Sequence, residues 1–207
     1  METSYRSVAC NAQSKIEIKK SVFIGDAVYV GDKDSAESFV ASVKKAHTDA
    51  RHVCFAYLLK NGDMKMSDDG EPQGTAGLPM LEIIKKSGIC NVAVTVTRYF
   101  GGILLGAPGL VRAYSSACAE ALKAAGVCEY MLTDNTGVTL DYGDYPKAEN
   151  EIRKLGGLLS NPVFSEKVGF VFSSLPDVTD TVIAAINELS AGKAKIERLE
   201  MTWNKKI

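Results

Sequence analysis

Residues 95–122 read TVTRYFGGILLGAPGLVRAYSSACAEAL, and the reading of this stretch decides the fold. An apolar, β-branched run ends at Thr97, a turn holding Gly101, Gly102, Gly106 and Gly109 follows, and a long helical pattern begins at Leu110. Leu110, Tyr114, Ala117, Cys118, Ala121, Leu122 and Ala125 recur at helical spacing and make one stripe, closed by Gly126. Its small residues predict close packing against a sheet. Arg98 and Arg112 bracket the glycine turn. A strand that feeds a glycine-rich bend and a helix start is a place where backbone N–H groups converge on an anion.

The remaining composition bounds what surrounds this unit. A chain of 207 residues with 46% hydrophobic and 24% charged residues has the makeup of a globular protein with a sizeable core. A formal net charge of -1 gives no global basic field, so any nucleic-acid binding must rest on a local patch. The five cysteines are scattered, odd in number and never spaced CxxC, which reads as reduced thiols. The first residues, METSYRSVACNAQSK, carry no apolar signal region, and no apolar run reaches the ~20 residues that cross a bilayer. A cytoplasmic protein with no membrane association is expected.

Upstream of the central stretch, residues 15–30 alternate as two short antiparallel strands. A helix is expected from Asp34, capped by Asp34 with Glu37, through about His47. A strand over Val53–Leu59 follows. Residues 60–79 are turn-rich and predicted to lack regular structure, and Pro79 stands where the first residue of a helix would be. Asn91–Thr97 reads as a central strand. From about Thr133 the pattern restarts: strand 137–141, helix 145–155, strands 158–164 and 167–172, helix 177–189 and strand 194–203. This βαββαβ order predicts a ferredoxin-like domain. The chain is thus expected to be α+β, with domains at residues 1–132 and 133–207 and no internal repeat.

Few residues suggest chemistry. Asp68, Asp69 and Glu71 lie within SDDGEPQGTAG, where three carboxylates either hold a divalent ion or serve a solvated turn. Arg98 and Arg112 either bind phosphate or carboxylate, with Lys85 and Lys86 as added charge, or pair with the acidic turn as a structural network. The glycine turn is neither G-x-G-x-x-G nor a P-loop. His47, His52 and Cys54 are metal ligands without a fourth member, or a strand-edge pair. Tyr99 and Phe100 either stack on bases or plug the core. No nucleophile elbow is present.

With these residues in view, the sequence resembles the IMPACT/YigZ family. The likeness rests on Lys20–Ile24, Arg51–Tyr57, Ser67–Pro79 and Val94–Tyr114, and more weakly on element order in the second half. The resemblance implies a first domain like the second domain of a small-subunit ribosomal protein, elongation factor G domain IV and GHMP kinases, and a ferredoxin-fold second domain. Eukaryotic relatives regulate translation under amino-acid stress by binding the activator of a general-control kinase. They carry an additional RWD domain that the present sequence does not contain. For bacterial relatives nucleic-acid or ribosome binding has been proposed. Leu104 and Ala107-Pro108 stand where the family commonly has a lysine and Thr-Gly, and Pro108 lacks an N–H.

The expectation is a translation-linked, stress-response binding protein without a cofactor or metal, contacting RNA, the ribosome or a translation-related protein. Its binding residues are expected to be Asp68, Asp69, Glu71, Thr75, Arg98, Tyr99, Phe100, Gly101, Gly102 and Arg112. A metal-dependent enzyme acting on a phosphorylated small molecule or nucleotide, and a protein-interaction module without nucleic acid, stay open as alternatives.

Overall fold

The structure, a computed structural model, describes residues 3–206. The described residues divide into two compact units, one of Tyr5–Glu129 and one of residues 130–206 together with Thr3 and Ser4. Among the described residues no helix is long and apolar enough to cross a membrane.

The first unit runs β1 (Ser4–Val8), β2 (Ala12–Ile18), β3 (Ser21–Tyr29), α1 (Lys33–Ala46), β4 (His52–Leu58), β5 (Met64–Ser67), α2 (Gly77–Ser87), β6 (Val92–Tyr99) and α3 (Ala107–Ala125). β2 to β6 form one antiparallel sheet in the order β2-β3-β6-β4-β5. β4 and β6 are buried almost throughout because helices cover both faces. Cys54, Ala56, Val94 and Val96 share a core with residues of α2 and α3, whereas Phe55, Tyr57 and Ala93 pack with Ala36 and Val40 of α1. The small residues of α3 have a definite cause. A Cβ on Gly25 of β3 would lie 2.8 Å from the Ala117 carbonyl oxygen, so helix and strand meet where neither has bulk.

Three local expectations need correction. Helix α1 is capped by Asp32 and not Asp34: the Asp32 carboxylate accepts from Ser35 N–H at 2.7 Å, and the Ser35 hydroxyl oxygen accepts from the Asp32 N–H at 3.2 Å. Residues 60–79 are not wholly irregular, since Met64–Ser67 pairs as an edge strand with β4. Helix α2 begins at Gly77, so Pro79 occupies its third position. That position also lacks an intrahelical acceptor, and proline is tolerated there for the same reason as at the first.

The second unit contains the later part of β7 (Val127–Leu140), then α4 (Tyr145–Lys154), β8 (Leu158–Leu159), β9 (Val163–Phe164), β10 (Val168–Ser174), α5 (Pro176–Leu189), β11 (Lys195–Arg198) and β12 (Thr202–Lys205). Its strands β11-β7-β10-β8 lie side by side, antiparallel at each pairing. Val138, Leu140, Phe170 and Phe172 close a core with Ile152 of α4 and Val182 and Ile186 of α5. The strand expected at 137–141 starts ten residues earlier. The one expected at 158–164 is two short pieces, and the last is broken after Arg198, where the Leu199 N–H donates to the Asn135 carbonyl at 2.8 Å.

Candidate functional site

The acidic turn is built by its own carboxylates. Asp68 accepts from the N–H groups of Gly74, Ala76 and Gly77 at 2.8, 3.0 and 2.8 Å, tying the turn to the open start of α2. Its carbonyl accepts from Glu71 N–H at 2.9 Å and from the Cys54 thiol at 3.0 Å. Thr75, also buried, donates its hydroxyl to the Pro72 carbonyl at 2.7 Å. Gly77 is required because an added Cβ would sit 2.8 Å from Ser67 N. Asp69, at φ 42°, accepts from Val53 N–H at 2.8 Å and pairs with Lys44. Burial works to raise its carboxyl, but Lys44 and the Val53 N–H outweigh that and hold it below its ordinary value.

Glu71 turns the other way, into the unit. Its side chain and that of Arg98 are almost wholly buried, and Arg98 Nη1 donates to Glu71 Oε1 at 2.6 Å. The Tyr114 hydroxyl donates to the same oxygen at 2.8 Å. The Arg98 guanidinium lies 5.6 Å from the Phe23 ring centroid and 5.5 Å from that of Phe100, a setting with cation–π character. Its Nε is buried without a partner among the described residues. Glu71 Oε2 has no partner among the described residues and is not sealed from solvent. Burial, and after it the Cys54 thiol and Glu71, push the Tyr114 hydroxyl upward. Burial likewise pushes the Cys54 thiol up to about 12. Both groups keep their protons at neutral pH, so neither is an activated nucleophile.

These elements enclose a cleft of about 430 Å³. Arg51 and His52 at the start of β4, Gly70 to Pro72 of the turn, and Arg98 with Phe100 at the end of β6 line it. Leu104 to Ala107 and Leu110 complete the lining. The β4–β6 register sets His52 opposite Arg98, which is why the start of one strand and the end of the other open together. The cleft thus gathers Glu71, Arg98 and Phe100 from the expected binding residues. Asp68, Asp69 and Thr75 build its wall from behind. Arg112 is exposed, with no ion-pair partner among the described residues.

Tyr99 donates to Asp49 at 3.2 Å and meets His47 Nδ1 at 2.8 Å, fastening the segment that follows α1. Phe100, 44% exposed, does not plug the core. Gly101 is locked against the β2–β3 turn: its added Cβ would fall 2.0 Å from the carbonyl carbon and oxygen of Lys20, and its N–H donates to the Ser21 hydroxyl at 3.1 Å. Gly102 has φ 84°, a left-handed conformation suited to glycine. Helix α3 starts from Gly106 without a side-chain cap and with Pro108 in its first turn.

Sequence reasoning missed Arg51, Leu105 and the role of Tyr114. The one available signal was Tyr114 itself, since a tyrosine in a stripe of Ala, Cys and Leu needs a partner for its hydroxyl. Among the described residues no group of three His, Cys, Asp or Glu could hold a metal ion.

The Impact N-terminal domain model matches residues 19–122, the stretch that carries this cleft, and a domain of unknown function matches residues 138–193. The IMPACT family member YvyE of Bacillus subtilis is 40% identical over 205 residues, spanning 98% of this chain and 94% of that protein. The chain belongs to the IMPACT family. Another IMPACT family member, from Haemophilus influenzae, is 34% identical over 191 residues, 89% of this chain and 92% of its own length. YigZ of Escherichia coli is 46% identical over 111 residues, 52% of this chain and 54% of that one. A crystal structure of a hypothetical protein has a TM-score of 0.65 and 30% identity, covering 97% of this chain and 99% of that one.

Proposed function

We propose that this IMPACT family protein is a translation-linked binding protein that engages single-stranded RNA, free or on the ribosome, through the surface around the cleft. One observation carries the reading. Asp68, Asp69 and one oxygen of Glu71 are engaged within the fold, and Arg51, Arg112 and the half-open Phe100 ring are offered outward. Exposed cations with an aromatic face are what a flexible strand needs, charge for its phosphates and a platform for a base. A cytoplasmic setting and a regulatory role in stress are part of this reading, and they come from the family resemblance.

The second unit is assigned to the ferredoxin-like class, supported by its strand order β11-β7-β10-β8 with two helices. The first is assigned to the ribosomal-protein domain-2 class, with the domains meeting at residues 132/133. The alternative of a metal-dependent enzyme would need Asp68, Asp69 and Glu71 on one ion, whereas their carboxylates address the start of α2, Lys44 and Arg98.

The test is fluorescence anisotropy of a labelled single-stranded RNA over a salt series. Affinity is expected to fall linearly on logarithmic axes, and Arg51→Ala and Arg112→Ala are each expected to reduce the slope by about one. Binding that ignores salt and both substitutions, or no binding, overturns the proposal.

A further inference from the structure

The cleft has a chemical asymmetry that phosphate binding alone leaves unused. His52 Nδ1 lies 2.8 Å from the Asp69 carbonyl oxygen. A carbonyl only accepts, so Nδ1 carries the hydrogen, and in the neutral ring Nε2 is an acceptor. Nε2 has no partner among the described residues. Glu71 lines the same cleft, and its Oε2 has no partner among the described residues. The lining residues therefore include two unpartnered acceptors, Glu71 Oε2 and His52 Nε2. Arg51, exposed and without an ion-pair partner among the described residues, adds a cation. Leu104 and Leu105 supply apolar lining, and Phe100 a half-exposed ring.

We propose that this cleft is a nucleotide pocket that accepts a base bearing an exocyclic amino group and discriminates against uracil. The inference rests on the RNA-binding reading and names what that surface selects. Adenine, cytosine and guanine each bring an amino group whose two hydrogens can meet acceptors, and guanine adds its ring N–H. Uracil has one ring N–H flanked by two carbonyls, so it sets oxygen lone pairs against Glu71 and His52. A site whose polar groups are left unpaired by the wrong ligand rejects it more strongly than an apolar pocket rejects a change of size. Phe100 supplies stacking that does not depend on the base, and Arg51 takes the phosphate. The cleft, about 430 Å³, has room for one nucleotide.

The test is isothermal titration of AMP, CMP, GMP, UMP, inorganic phosphate and L-leucine into the full chain. AMP, CMP and GMP are expected to bind at least about tenfold more tightly than UMP, as the loss of a hydrogen bond to a charged acceptor implies. Arg51→Ala and Leu104→Asp, both at exposed positions, are expected to weaken AMP about fivefold to tenfold. Equal affinity for all four nucleotides, no nucleotide binding, phosphate binding as tightly as AMP, or L-leucine binding without AMP overturns the pocket. If RNA binds with a steep salt dependence while no monophosphate binds, the pocket falls and the binding surface stands. If AMP binds selectively and RNA does not, the pocket stands and the RNA reading falls.

Discussion

The Arg98–Glu71 pair shows how little a charge's type says about its use. In the sequence these two residues fit phosphate binding and metal binding as well as an internal pair. Burial decides, because a guanidinium with 7% of its side chain exposed needs a fixed counter-charge, and Glu71 at 3% is the one it has. Glu71→Ala is expected to cost about 3–5 kcal/mol of stability by leaving Arg98 buried and unpaired. In chemical denaturation Glu71→Ala with Arg98→Ala should be far less destabilising than the sum of the two single changes, and strict additivity would contradict the pairing. Asp69 makes a separate prediction with a definite sign. Its folded value is depressed below the ordinary 3.8, so its contribution is complete above that pH and disappears as pH falls through the lower folded value. Asp69→Asn should lower the neutral-pH melting temperature and flatten the acid limb of the stability profile below about pH 4. An unchanged acid limb would show that Lys44 and Val53 do not hold the carboxylate.

Among the elements, legibility followed periodicity. The α3 stripe was readable because seven apolar positions fall on one face, and β6 because a central strand is apolar on both faces. What escaped were features whose cause lies elsewhere in the chain. β5 is a strand because β4 offers it an edge, not because its own exposed residues demand one. Arg51 and His52 join the site through the β4–β6 register, which a linear pattern does not state. The β2–β3 turn is such a case as well: Lys19 at φ 48° and Lys20 at φ 66° form a two-residue connection in a conformation that favours Asn-Gly. Lys20→Gly should relieve about 1 kcal/mol of strain. The expected gain is a melting temperature higher by roughly 4 °C if the first unit, Tyr5–Glu129, melts on its own. A lower melting temperature would mean that the Lys20 side chain does more for the hairpin than its backbone costs.

For the whole molecule, net charge and composition excluded little and assigned nothing, since the proposed binding surface lies at one end of one sheet. The division into two units has a measurable consequence. Phe172 is fully buried in the core of the second unit, among Val138, Ile152 and Ile186, and shares no cluster with the first. Phe172→Ala is expected to cost about 3–5 kcal/mol. Hydrogen exchange should accelerate at β7 and β10 residues while amides of β6, such as Val94, keep their protection. Equal loss at Val94 would mean that the two cores open as one cooperative body.

The buried carboxylate–guanidinium contact also separates shape from charge. Mobile ions screen groups they can approach, over about 10 Å at 0.1 M salt, and they reach a buried pair poorly. Arg51 and Arg112, open to solvent, are silenced as salt rises, while the staple of Glu71, Arg98 and Tyr114 keeps its geometry. A salt series on this protein therefore varies the attraction it exerts at a distance and leaves the form of the cleft unaltered.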